Sequence, residues 1–135
     1  MPFQYQYIAD ANCLVVVGSG RVSLQEFLDY HRELRIKNAQ SALRILADYR
    51  KLDPSDLSTD DIQQIRLSAL KKIEGKFDAL KEAIVVSGEL AFGLSRMFDG
   101  LVYAENYDLN VFTDIREAKA WLGLDPDTPL ALSEG

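Results

Sequence analysis

Short apolar runs alternate along this chain with segments whose apolar residues recur at helical spacing. The apolar runs are typical of buried strands and cover Cys13 to Val17, Leu43 to Asp48, Ala83 to Val86 and Leu109 to Phe112. A helical segment follows each of them. Strands that alternate with helices predict an α/β domain with a mainly parallel sheet, because right-handed crossovers return each strand parallel to the one before.

The chain begins with an aromatic stretch of strand periodicity. Phe3, Tyr5 and Tyr7 alternate with glutamines, and the turn signal Asp10-Ala11-Asn12 follows. We expect this strand to form a hairpin with the next one, which gives about five strands in all, with helices on both faces. An edge strand offers unpaired backbone groups, so we also predict a homodimer through this N-terminal strand.

Capping residues mark the helix starts. Ser58 stands three residues before Asp61, and Leu57 and Ile62 flank them at the spacing of a hydrophobic staple. The same three-residue spacing relates Ser23 to Glu26 and Asp114 to Glu117. In the third helix, we expect the core face to contain Leu90, Leu94, Met97 or Phe98, and Leu101.

Two glycines follow the second strand, in Gly18-Ser19-Gly20. The dinucleotide fingerprint needs a third glycine in register, and the P-loop needs a Gly-Lys-Ser/Thr sequence; neither pattern is present. We therefore predict a tight turn between strand and helix rather than a phosphate-binding loop.

Length and composition limit the classes of protein. The 135 residues predict a single domain over 1–124, followed by a loose tail over 125–135. The net charge of -6 argues against a nucleic-acid partner. No signal-peptide pattern opens the chain, and no apolar run reaches the ~20 residues of a membrane span. We expect a cytoplasmic protein without an integral membrane segment.

Few residues are available for metal or nucleophilic chemistry. The chain has one histidine, His31, and one cysteine, Cys13, so it cannot supply the usual zinc sites by itself. We therefore predict no cofactor. We expect Cys13 to be a small buried hydrophobic residue and His31 a hydrogen-bonded packing residue. Acid-base catalysis could use Asp48 with Arg50 or Arg96, but carboxylates at strand ends are common for structural reasons, and we do not favour an enzyme.

Four short motifs stand in a fixed order between Leu14 and Leu122. They are Asp48-Tyr49-Arg50, Ala83-Ile84-Val85-Val86, Phe92-Gly93-Leu94-Ser95-Arg96-Met97 and Phe112-Thr113-Asp114, the last followed by Glu117-Ala118 and Trp121-Leu122. In this order they resemble the SpoIIAA-like fold, which STAS domains share with the lipid-binding CRAL-TRIO (SEC14-like) domains. More narrowly, the chain resembles small bacterial STAS/SEC14-like proteins of uncharacterised function.

The resemblance raises the question of a phosphorylation site. STAS anti-sigma-factor antagonists are phosphorylated in an Asp-Ser/Thr-x-Gly-Leu pattern at the helix that follows the third strand. In this chain, Asp56 is followed by Leu57 at the acceptor place, and the glycine is missing. A phosphate on Ser58 would lie beside Asp60 and Asp61, where like charges repel. We predict that Ser58 is a helix cap, with a phosphosite as the alternative.

Two functions remain open from the sequence. The first is a non-enzymatic, STAS-like regulatory module that binds a protein partner. Its predicted site contains Asp48, Arg50, Asp56, Ser58, Thr59 and Arg96. The alternative is a small-molecule or lipid-binding, SEC14-like domain that uses the surplus aromatic residues Phe92, Phe98 and Tyr103. An apolar cavity would favour this alternative, and a tightly packed interior would contradict it.

Overall fold

Five strands stand side by side in the order of the chain. The computed structural model describes residues 2–34, 42–73, 79–101 and 107–127. Its strands are β1 (Phe3–Ile8), β2 (Cys13–Arg21), β3 (Ala42–Asp53), β4 (Ala79–Val85) and β5 (Tyr107–Phe112). β1 is antiparallel to β2, and the other neighbouring pairs are parallel. The predicted α/β class and mainly parallel sheet are confirmed.

Helices cover both faces of the sheet. They are α1 (Leu24–Glu33), α2 (Thr59–Ile73), α3 (Glu89–Leu101) and α4 (Ile115–Trp121). α1, α2 and α3 each connect two neighbouring parallel strands in the same direction, and right-handed crossovers then place all three on one face. α4 follows the last strand and packs on the other face, against β3, β4 and β5.

Alternation along the strands divides the interior into two cores. The larger core lies under α1, α2 and α3, and the smaller one lies under α4. Leu46 and Val85 are buried in the smaller core and Val111 in the larger, as predicted. Cys13 is also buried in the smaller core. Its burial raises the pKa of the thiol to about 11, which suits the predicted packing role.

The N-terminal hairpin forms as predicted. One turn of 3-10 helix, Ala9–Ala11, leads to Asn12, whose φ of 45° is left-handed. The Tyr7 hydroxyl donates to Asn12 Oδ1 at 2.5 Å and fixes the turn. β1 is an edge strand, and Tyr5 on it is 39% exposed.

The predicted tight turn at Gly18-Ser19-Gly20 is wrong, because these residues continue β2 as far as Arg21. The pairing with β3 shifts its register between Val17 and Ser19. A Cβ atom on Gly18 would lie 3.0 Å from Leu52 and 3.1 Å from Tyr49. Gly18 therefore lets two side chains of β3 lie across the neighbouring strand.

The predicted core face of the third helix is also partly wrong. Leu90 is 54% exposed, whereas Ala91 is buried and Leu94 packs against the larger core. The buried face of α3 is therefore rotated from the predicted face. It contains the small residue Ala91 in place of the large residue Leu90. The side chains of Phe98 and Leu101, and all of Tyr103, lie outside the described residues.

Two further predictions concern the ends and the surroundings of the domain. Residues 128–135 of the predicted tail lie outside the described residues, so the boundary at 124 stays a prediction. Within the described ranges, no helix has the length and apolar character needed to cross a bilayer.

Candidate functional site

A mainly apolar cavity lies in the larger core, between the sheet and α1, α2 and α3. Water-sized molecules can occupy about 90 Å³ of it, and it opens to solvent on one side. The residues that line it are Phe27, His31, Tyr49, Leu52, Pro54, Leu57, Ile62, Ile65, Ala69, Glu82, Ile84, Val86, Ala91, Leu94 and Ser95. Aromatic and aliphatic walls with a few polar groups are typical of small-molecule sites.

The strand pattern of β4 places one carboxyl group in this apolar wall. Alternate residues of a strand share a face, so Leu80, Glu82 and Ile84 all point toward the helices. The loop after β3 supplies Pro54 and Leu57 to the same cavity. Glu82 is half-buried in this wall, and the described residues that line the cavity include no Lys or Arg.

The Glu82 carboxyl group is the main titratable group of the cavity. Burial raises its pKa from 4.5 to about 7, and a hydrogen bond from the Tyr107 hydroxyl to Oε1 opposes this shift. In the described part of the chain, no cation is among the groups that shift this pKa. Near neutral pH, Glu82 is thus divided between its protonated and ionised forms.

Three tyrosines surround Glu82 within electrostatic range. Burial raises the pKa of Tyr30, Tyr49 and Tyr107, and the negative charge of Glu82 raises each further. All three hydroxyl groups therefore stay neutral in the physiological range. Tyr107 is the one whose hydroxyl group donates a hydrogen bond to Glu82.

His31 lies in the wall of the cavity as a packing residue. Its Nδ1 atom is 2.9 Å from the Ser68 hydroxyl oxygen, and its ring packs against Tyr30 and Phe27. The predicted hydrogen-bonded packing role is confirmed. Among the described residues, no group of three or more His, Cys, Asp or Glu side chains is arranged to hold a metal ion.

The structure places Asp48 and Arg50 away from the cavity. Asp48 is 6% exposed and lies within β3 rather than at its end, on the face covered by α4. Arg50 Nε donates to Asp48 Oδ1 at 2.8 Å, and Arg50 Nη2 donates to Asp48 Oδ2 at 2.7 Å. Arg96 is exposed on α3, on the other face of the sheet, so the structure does not bring it to this pair.

The predicted residues of the β3–α2 loop are exposed. Asp56 forms a bidentate ion pair with Arg21, at 2.8 and 2.9 Å. Ser58 Oγ accepts from the Asp61 amide at 3.1 Å, and the Ser58 amide donates to Asp61 Oδ2 at 2.9 Å. The predicted helix cap is confirmed. Thr59 is the exposed first residue of α2. A partner-binding role of this loop and a phosphate on Ser58 stay predictions.

Sequence reasoning missed Glu82, the polar centre of the cavity. The apolar run predicts the fourth strand over Ala83 to Val86, whereas β4 begins at Ala79. The available signal was the alternation of Leu80, Glu82 and Ile84, which places one carboxylate on an otherwise apolar strand face.

One solved structure shows the same architecture. It is the crystal structure of an uncharacterised protein of the DUF3478 family, with a SpoIIAA-like fold, from Shewanella loihica PV-4. The similarity has a TM-score of 0.59 at 19% sequence identity and covers 89% of this chain and 93% of that chain. The SpoIIAA-like fold expected from the resemblance is confirmed at the level of the fold. Comparisons with protein-family models and with curated proteins find no match.

Proposed function

We propose that this protein is a small-molecule-binding module that holds an apolar ligand between the sheet and α1, α2 and α3. The observation that carries the proposal is the cavity in the larger core. Its walls are side chains of α1, α2, α3 and the sheet, and an apolar molecule seated among them would gain dispersion contacts with these walls.

The chemistry of the walls selects an apolar body for the ligand. Ile62, Ile65 and Ala69 line one side from α2, and Ala91 and Leu94 line another from α3. Apolar surface that leaves water contributes about 25 cal/mol per Å². A molecule with an aliphatic or aromatic body would gain this energy from the existing walls.

A regulatory protein-interaction role is a second proposal, supported by the loop that adjoins the cavity. Pro54 and Leu57 line the cavity, while Asp56, Ser58 and Thr59 of the same loop are exposed. A ligand that contacts the inner side of this loop would change the surface that a partner meets. Self-association through β1 is proposed on the separate ground that Tyr5 is exposed on an edge strand.

A methyl NMR titration with hexanol tests the binding proposal. We expect saturating shifts at methyl groups of the lining, such as Ile62, Ile65 and Ala91. The methyl groups of Leu46 and Val85, on the opposite face of the sheet, serve as internal controls and should not shift. Shifts spread equally over both faces would indicate non-specific association and would overturn the proposal.

A matched pair of variants on α2 links the binding to the cavity. Ala69→Phe places a ring in the cavity and should abolish the hexanol shifts. Leu67→Phe adds a similar ring at an exposed position on the same helix and should leave them unchanged. Equal effects of the two substitutions would contradict the assignment.

A further inference from the structure

We propose that the ligand carries a protonated amine, whose ammonium group pairs with the carboxylate of Glu82 while its apolar body fills the cavity. This inference rests on the proposed binding function and specifies the chemical class of the ligand. The alternatives are a ligand with a neutral polar group and a ligand with a carboxylate, and each has its own probe molecule.

The charge distribution of the cavity supports a cation. Glu82 is the one carboxylate among the described residues that line it, and these residues include no Lys or Arg. Buried carboxylates in proteins are usually paired or hydrogen-bonded, because burial without a partner is costly. An ammonium group would supply a counter-charge at a place where, among the described residues, the Tyr107 hydroxyl is the hydrogen-bond donor to Glu82.

The geometry leaves room for this contact. An ionised carboxylate has two oxygens and accepts about four hydrogen bonds, and Tyr107 uses Oε1 for one. Phe27 and Tyr49 also line the cavity, with their ring centroids 6.0 Å apart. Aromatic faces attract alkylammonium groups, so this wall favours the same class of ligand as the carboxylate does.

The same arrangement disfavours an anionic ligand. A second carboxylate beside Glu82 would have to share a proton with it, because two like charges in a buried site cannot both be ionised. A neutral alcohol could fill the cavity but would gain a weaker hydrogen bond than a charged donor gains. The three head groups should therefore differ in affinity in a fixed order.

Three probes with the same alkyl chain separate these classes: hexylamine, hexanol and hexanoate. We expect hexylamine to bind the full chain about tenfold or more tightly than hexanol at pH 8, and hexanoate to bind most weakly. Glu82→Gln should abolish the preference for hexylamine over hexanol, because it removes the carboxylate that pairs with the ammonium group. The methyl spectrum of the variant checks that its fold is intact.

The pH dependence gives a second measurement. Among the described residues, the titratable groups that face Glu82 or line the cavity with it are Tyr107 from β5, Tyr49 from β3, and Tyr30 and His31 from α1. The described lining residues of α2 and α3 are not titratable. The affinity for hexylamine should rise from pH 5 to about 7, where Glu82 ionises, and then level off. Glu82→Gln should lose this rise in affinity between pH 5 and about 7.

The outcomes distinguish this inference from the proposed function. If no probe produces saturating shifts in the lining, both are wrong. If hexanol binds as tightly as hexylamine, or if Glu82→Gln retains the preference for the amine, the ligand class is wrong and the binding function stands. Should Glu82→Gln fail to fold, Tyr107→Phe replaces it. Loss of that hydrogen bond raises the Glu82 pKa further and should move the pH midpoint of hexylamine binding upward; an unmoved midpoint would overturn the inference.

Discussion

Replacing Glu82 by Gln should stabilise the protein at pH 8 and change little at pH 4.5. Burial raises the pKa of Glu82 from 4.5 to about 7, so the folded protein holds this proton more tightly than the unfolded chain does. The resulting stabilisation is fully present below pH 4.5 and is lost as the pH rises through about 7. The difference between these two pKa values corresponds to about 3 kcal/mol of unfolding free energy.

The Gln side chain has no charge to bury, and its amide oxygen can still accept from Tyr107. At pH 8, Glu82→Gln should therefore exceed the wild type by up to about 3 kcal/mol in unfolding free energy. Urea denaturation at intervals from pH 4.5 to 8 measures this difference.

Glu33→Gln is the matched control, because Glu33 is exposed at the end of α1. It should stay within about 0.5 kcal/mol of the wild type throughout the pH range. A difference between Glu82→Gln and wild type that does not change with pH would refute the reasoning. So would a variant that is less stable than the wild type at pH 8.

The remaining predictions concern the helix cap, the smaller core and the edge strand. Ser58→Ala should lower the unfolding free energy by about 0.5–2 kcal/mol, and Ser58→Asp should be nearly neutral because Asp also caps; stoichiometric phosphate on Ser58 in protein from the native host would contradict a purely structural role. Val85→Ala should cost about 1–3 kcal/mol in chemical denaturation, and a cost under about 0.5 kcal/mol would contradict its burial. Tyr5→Lys should shift a homodimer toward monomer in sedimentation, and a wild type that is already monomeric at micromolar concentration would remove the dimer proposal.

The sequence predicted those features whose causes are local. The Ser23–Glu26 capping box is reciprocal in the structure, with hydrogen bonds of 3.0 and 3.2 Å, and both partners lie within one turn of helix. The Ser58–Asp61 pair behaves in the same way. The alternation of strands and helices likewise required only the apolar pattern, and it determined the class of the fold.

The errors arose where distant parts of the chain decide the outcome. Gly18 lies in a strand because Phe3, Tyr49 and Leu52 pack over it, and these residues come from two other strands. The pattern of glycines alone cannot reveal those neighbours. On α3, the burial of Ala91 instead of Leu90 reflects how closely that helix approaches the sheet. A choice based on residue size alone selects the wrong face.

Distant parts of the chain also determine the environment of Glu82, and the destabilisation that its ionised carboxylate causes argues for a function. Its neighbours on the same strand face, Leu80 and Ile84, show that an aliphatic side chain suits this position. An ionised carboxylate there weakens the folded state above pH 7, and a residue that breaks the local pattern without stabilising the fold is expected mainly at functional sites. Perturbed titration together with a cavity is also the usual combination at binding and catalytic sites. A ligand that supplies an ammonium group would remove the destabilisation when it binds, so its presence should raise the unfolding free energy most at the pH where Glu82→Gln does.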